Sequence, residues 1–209
     1  MLTTHFALEK LVEVLCLDLE GVLIPEIWQA VAARTEIETL RKTTRDIPVY
    51  DELMQLRLDV LAQHDISLSL IDSVIGELDP LPGASDFLDW ARERYQVTII
   101  SDTFYQFARP LMAKLGWPTL LCHNLTIADD RITGYQIRQP DPKRCSVQAF
   151  QALNYRVLAA GDSYNDVSML EQADAGFFYR APENVLADYP QYPHAQSYAE
   201  LQDLLAASS

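Results

Sequence analysis

The chain is short of cysteine, of cations and of long apolar runs. Its 209 residues include three cysteines, Cys16, Cys122 and Cys145, at no metal-binding or redox spacing. Their odd number and scatter argue against a disulfide framework and fit a reducing cytosol. Each reads as a small buried hydrophobe. No window approaches the roughly 18–20 apolar residues of a membrane span. Residues 1–10 hold one His, one Glu and one Lys, and do not read as a secretory signal. The expectation is a cytoplasmic protein with no membrane partner.

Only 16 Lys and Arg face 30 Asp and Glu, for a net charge of −14 and a pI near 4.5. Such a surface repels phosphate backbones and anionic lipid, so no nucleic-acid partner is expected. A small anionic substrate remains compatible, because a metal and a few local cations can dominate one pocket. The length allows one domain with a real core and an inserted subdomain.

Short apolar or β-branched segments at 12–17, 97–100, 119–122, 157–160 and 176–179 read as strands. Helical periodicity at 83–94, 104–115, 142–153, 164–173 and 198–206 lies between and after them. This alternation predicts an α/β fold, a Rossmann-like parallel sheet with helices on both faces. Residues 25–82 contain no convincing strand and read as helices at 26–34, 37–43, 50–64 and 67–78. They predict a helical cap inserted after the first strand, with 1–24 and 83–209 forming the core. Residues 125–137 alternate around Asp129-Asp130-Arg131 and predict a small β-hairpin flap.

Polar clusters follow the predicted strands: Asp18-Leu19-Glu20-Gly21, Ser101-Asp102-Thr103 and Gly161-Asp162-Ser163-Tyr164-Asn165-Asp166, with Lys143 near a helix start. A parallel sheet brings the C-terminal ends of its strands to one edge, so these clusters can meet. Together they suit phosphoryl transfer. Asp18 would attack phosphorus and form an aspartyl phosphate. Mg²⁺, which prefers hard oxygen ligands, would bridge carboxylates and phosphate, with Asp162 as second carboxylate ligand. Ser101 would hydrogen-bond a phosphoryl oxygen, and Lys143 would neutralise charge on Asp18 and the phosphate. Glu20 would serve as general acid and base.

The four motifs in this order resemble the haloacid dehalogenase superfamily of phosphohydrolases. The stretch from Asp18 to Trp28, with Thr43-Thr44-Arg45-Asp46-Ile47-Pro48 and Asp141-Pro142-Lys143-Arg144, is similar to the phosphoserine phosphatase branch. Within it, the chain resembles the bifunctional ThrH-type proteins, which also transfer phosphate from phosphoserine to homoserine. The match runs from about Leu11 to the C-terminus, leaving the first ten residues or so as an extension. The resemblance implies that the backbone carbonyl of Glu20 joins Asp18 and Asp162 on Mg²⁺. It further implies Glu26 as partner of the substrate ammonium and Arg57 as partner of its carboxylate. Ser101 and the backbone of Asp102 would hold the phosphate, with Asn165 beside metal and phosphate. Glu20 stands where most phosphoserine phosphatases carry Asp, and Val22 where they carry Thr; the ThrH type shares the Glu.

Plainer readings stand beside these. Asp18 alone could be a turn acid, and Glu20 a solvated loop acid. Asp162 and Asp166, at i and i+4, could decorate a helix start; Asp162 is read as the ligand and Asp166 as lying behind it. Glu26 could be a first-turn acid after Pro25, and Arg57 competes with Arg41 and Arg45 as a surface cation. The four histidines, His123 among them, read as surface or satisfied residues, and the tryptophans as packing groups. The alternative functions are the same chemistry on a sugar phosphate or nucleotide, or a catalytically idle phospho-ligand-binding protein.

Overall fold

The computed structural model describes residues 12–44, 46, 47 and 49–209. The extension expected at 1–10, and Arg45 and Pro48 of the second motif, lie outside the described residues. Seven strands form one sheet in the order β4-β3-β2-β1-β5-β6-β7: β1 (Glu13–Leu17), β2 (Gln96–Phe104), β3 (Thr119–Ala128), β4 (Arg131–Gln136), β5 (Arg156–Gly161), β6 (Ala175–Tyr179) and β7 (His194–Ala195). All neighbours pair parallel except β3 and β4, which form the expected antiparallel hairpin.

The centre of the sheet is buried on both faces, which explains why β1 and β5 read as continuous apolar runs. Leu15, Leu17, Leu158 and Ala160 enter one hydrophobic cluster, while Val14, Cys16, Val157 and Ala159 enter the other. Helices α4 (Ala84–Arg92), α5 (Tyr105–Lys114) and α9 (Tyr198–Ala207) cover the first face. Helices α6 (Pro142–Ala152), α7 (Val167–Gln172) and α8 (Glu183–Asp188) cover the second.

Between β1 and α4 the chain is helical: α1 (Ile27–Thr35), α2 (Tyr50–Gln63) and α3 (Leu68–Glu77). Ser67 caps α3, its hydroxyl accepting the Leu70 N–H at 3.1 Å. α3 packs against α1 and α5, and α2 against β4. The Trp28 ring of α1 meets Phe107 of α5 edge-on at 5.6 Å. The hairpin also reaches the inserted helices, through Arg131–Asp65 at 2.6 Å, the Ser69 N–H on Asp130 at 3.0 Å and Tyr135 OH on Asp51 at 2.5 Å.

Four expectations need correction. The helix expected at 37–43 is a single 3-10 turn, Glu38–Arg41, because the Asp46 carboxylate takes the Thr43 N–H at 2.9 Å and bends the chain there. The helix expected at 164–173 opens as a 3-10 turn, Tyr164–Asp166, before α7 begins. β2 runs past Ile100 to Phe104, with a register shift against β3 in between. Ser101-Asp102-Thr103 therefore lie in the irregular end of a strand and not after it. α8 and β7 were not expected; both are too short to carry a periodic signal.

Phe107 is fully buried and contacts both Trp28 and Phe104. Phe107→Ala should destabilise the protein by about 3–5 kcal/mol, measured as a lowered urea midpoint with an unchanged slope.

Candidate active site

β1, β2 and β5 are neighbours, so their C-terminal ends bring Asp18, Ser101-Asp102-Thr103 and Asp162 to one edge. The Asp18 N–H continues the ladder onto the Ala160 carbonyl at 3.0 Å, which fixes where its carboxylate emerges. Asp18 is 5% exposed and Lys143 1%. The Lys143 ammonium lies 2.9 Å from Asp18 Oδ1 and 2.5 Å from Asp166 Oδ1. It sits in the first turn of α6, where a cation opposes the helix dipole; the two carboxylates offset that.

Asp166 is fully buried. Its second oxygen accepts the backbone N–H groups of Asp162 at 2.9 Å and Ser163 at 3.0 Å. It thus ties Lys143 to the turn that presents Asp162. Two glycines make this packing possible. A Cβ on Gly161 would lie 2.2 Å from Asp166 Cγ, and one on Gly21, at φ +77°, would lie 2.3 Å from Asp162 Oδ2.

Asp18, Asp162 and Asp166 each offer a carboxylate oxygen within 4.8 Å of the others. One ammonium against three carboxylates leaves an excess of negative charge that a divalent cation would balance. Hard oxygen donors in this number suit Mg²⁺. Burial, with the Asp166 charge, pushes Asp18 well above the usual carboxylate range despite Lys143. Burial, with Asp166 and Glu26, pushes Asp162 up to about 7. Burial alone would lower Lys143, but Asp166, Asp18 and Asp102 outweigh it and raise it well above its ordinary value.

Glu20 turns away from this cluster toward α1. Its Oε2 accepts the Ile27 N–H at 2.9 Å, one of the free donors of the helix N-terminus. Burial raises its pKa, opposed by that bond and by Thr103, Arg57 and Glu26. Ser101 is buried, and its Oγ accepts the Thr103 N–H at 3.3 Å, leaving its own hydroxyl proton to donate. Burial pushes Asp102 up, but Lys143, His123 and Asn165 more than reverse that and hold it at about 2.

A cavity of about 1000 Å³ joins these groups. Asp18, Glu20, Ser101, Asp102, Asp162 and Asn165 line its floor, and Glu26 and Arg57 reach it from the inserted segment. Lys143 lies behind Asp18 and does not line it. Arg57 is buried, not a surface cation, and its guanidinium lies 4.5 Å from the centre of the Trp28 ring. Nη2 donates to the Lys42 carbonyl at 3.0 Å, while buried Nε has no hydrogen-bond partner. Burial lowers its pKa to about 10, against the pull of Glu20, Tyr50 and Glu26. Arg41, its competitor in the sequence, is held by Glu38 and Gln29.

Sequence reasoning missed Tyr50 and His123 as lining residues, placed Thr103 at this edge without a role of its own, and left Trp28 as packing only. His123 had a usable signal. It directly follows the apolar run of β3, so topology alone places it at the same sheet edge. Tyr50 and Trp28 had none, since the docking of the inserted helices decides their positions.

The sequence pattern of haloacid dehalogenase-like hydrolases matches residues 12–174. The phosphoserine phosphatase ThrH of Pseudomonas aeruginosa is 58% identical over 199 residues, covering 94% of this chain and 97% of that protein. A phosphoserine phosphatase of Pseudomonas syringae pv. tomato is 58% identical over 195 residues, 93% of this chain and 82% of that one. A solved structure described as a phospho-aspartyl intermediate analogue of phosphoserine phosphatase shares the fold, with a TM-score of 0.77 at 17% identity over 95% of this chain and 99% of that one.

The raised carboxyls give stability a definite pH sign. Asp18, Glu20 and Asp162 hold protons more tightly folded than unfolded. Their contribution is complete below an unfolded carboxylate pKa of about 4 and is lost as pH rises through the folded values, about 7 for Asp162. Without metal, the thermal midpoint should therefore fall between pH 5 and pH 8. Mg²⁺ should raise it, and more at pH 8 than at pH 5, because protons compete for the same oxygens. Scanning calorimetry at both pH values reads this directly; a midpoint indifferent to Mg²⁺ at pH 8 would contradict the cation site.

Proposed function

The chain belongs to the haloacid dehalogenase-like hydrolases, and from that premise we propose that it is a Mg²⁺-dependent phosphoserine phosphatase that can also transfer the phosphoryl group to homoserine. One observation carries the substrate assignment. A single cavity presents the Asp18 cluster, the Glu26 carboxylate and a buried Arg57 guanidinium with an unpartnered N–H. Phosphoserine has the matching three groups: a phosphate, an ammonium and a carboxylate. Arginine is well shaped for the carboxylate. The names of the two Pseudomonas relatives support the same reading.

An Asp18 oxygen attacks phosphorus, and the bond to the serine oxygen breaks. Glu20, whose pKa burial raises, gives that oxygen its proton as the general acid. Glu20 then takes a proton from water as the water oxygen attacks the phosphoryl group, which frees phosphate and restores Asp18. In transfer, the homoserine hydroxyl replaces water and yields its proton to Glu20 in the same way. Lys143 holds Asp18 in place and offsets negative charge as the phosphoryl group arrives. Ser101, the backbone N–H of Asp102 and Asn165 bind phosphoryl oxygens. Asp18, Asp162 and the Glu20 carbonyl would hold Mg²⁺, which supplies neutralisation of the phosphoryl oxygens.

The inserted segment between β1 and α4 acts as a cap over a core to which the described residues 12–24 and 83–209 belong. The cap brings Glu26 and Arg57 to the cavity and limits water there, which transfer to an alcohol requires. The free cysteines support a cytoplasmic setting.

Incubation with L-phosphoserine and Mg²⁺ should release phosphate, and added homoserine should yield phosphohomoserine. Asp18→Asn should lower phosphate release by at least about a thousandfold. Unchanged release in that variant, or a preference for nucleotide or sugar phosphates over phosphoserine, would overturn the assignment. A lack of phosphohomoserine would remove the transfer activity.

Arg57→Ala should raise KM for phosphoserine about tenfold or more, because it removes a charged hydrogen-bond partner of the substrate carboxylate. The same change should leave KM for a phosphate ester without a carboxylate within about threefold. Steady-state kinetics on both esters checks the difference.

A further inference from the structure

The side chain of Asp102 has no part in the steps above, yet three parts of the molecule converge on this residue. A carboxylate beside a phosphate site repels the substrate, so its presence calls for a compensating use. His123, on β3 at the root of the hairpin, is 2% exposed. Its Nδ1 accepts the Arg138 backbone N–H at 3.2 Å. In a neutral ring that leaves the proton on Nε2, and Nε2 is the atom facing Asp102, 3.6 Å from Oδ1. The other carboxylate oxygen accepts Asn165 Nδ2 at 3.0 Å. The far end of the Asn165 amide, Oδ1, accepts the Ser163 hydroxyl. From the inserted helices, Tyr50 OH donates to the Asp102 carbonyl at 3.0 Å, and its ring meets the His123 ring edge-on at 6.1 Å.

We propose that Asp102 and His123 form a positioning pair that fixes the orientation of the Asn165 amide for phosphoryl transfer. The proposal rests on the phosphatase reading above and extends it to two side chains which that reading leaves idle. An amide can face a neighbour with either end. A flipped Asn165 would set its oxygen against the Asp102 carboxylate, acceptor against acceptor. The charge on Asp102 therefore selects the orientation with Nδ2 toward it. One N–H of that NH₂ is used on Asp102, and the second remains for a phosphoryl oxygen. His123 steadies the carboxylate at its other oxygen, so that it neither turns into the cavity nor releases Asn165. Small misplacements of a group that contacts the reacting phosphoryl are costly in rate.

The test compares His123→Leu and His123→Gln with the wild type. Two quantities are read: kcat and KM for phosphoserine, and the side-chain amide NMR signal of Asn165, assigned by its loss in Asn165→Asp. His123→Leu should lower kcat about 10- to 100-fold, keep KM within about threefold, and move the Asn165 signal toward that of a free amide. His123→Gln keeps an N–H that can reach Asp102, and should recover most of kcat and the Asn165 signal. Equal losses in both variants, in step with falling thermal midpoints, would show a merely structural histidine and overturn the pair. An Asn165 signal unmoved in His123→Leu would overturn it too. That signal is read without substrate, so wild-type protein inactive on phosphoserine would overturn the reaction assignment separately.

Discussion

The arrangement depends on one buried ammonium. Lys143 is enclosed by Asp18 and Asp166, and all three are nearly inaccessible to water. Removing one partner of such a group leaves an uncompensated buried charge, at a cost of about 3–5 kcal/mol. That constraint reaches outward through the chain. Asp166 must approach Lys143, so Gly161 must lack a side chain. Asp166 also holds the backbone of Asp162 and Ser163, so the turn that presents Asp162 is anchored to the same ammonium. Gly21 then gives Asp162 its room.

Around this centre the fold divides its labour. The parallel sheet sets Asp18, Ser101-Asp102-Thr103 and Asp162 at one edge, because the ends of β1, β2 and β5 adjoin. The inserted helices contribute Glu26, Trp28, Tyr50 and Arg57 to the same cavity. Their attachment to the core is apolar at Trp28 and Phe107 and polar at Tyr50 and Asp102. The exposed ion pair to the hairpin, Arg131–Asp65, contributes no more than about 1 kcal/mol. The Trp28–Phe107 contact is buried, and the Tyr50–Asp102 contact sits at the cavity.

Much of this was legible in the sequence, for identifiable reasons. Strands buried on both faces read as plain apolar runs, so β1 and β5 stood out, and acids directly after them were placed by topology alone. Asp18 and Lys143 come together as expected, and Glu20 lines the same cavity. Asp166 was less legible. Its spacing from Asp162 fits a helix-start acid, and only the three-dimensional turn shows it gripping Lys143. The extent of β2 was hidden, because Ser101-Asp102-Thr103 looks like a loop while pairing irregularly as strand. Arg57 could not be separated from Arg41 and Arg45 by periodicity; its burial against Trp28 distinguishes it from Arg41. Tyr50 escaped notice because its position arises from the docking of segments far apart in the chain, whereas the place of His123 after the apolar run of β3 was readable.

The central claim is that Asp18, held by Lys143, becomes the covalent carrier of the phosphoryl group. Rapid acid quench of the enzyme turning over L-phosphoserine, followed by peptide mass spectrometry, tests it most directly. The account predicts one added phosphoryl group on the peptide containing Asp18, lost on treatment with hydroxylamine as an acyl phosphate would be. A label on any other residue, or turnover that never labels the Asp18 peptide, would contradict it.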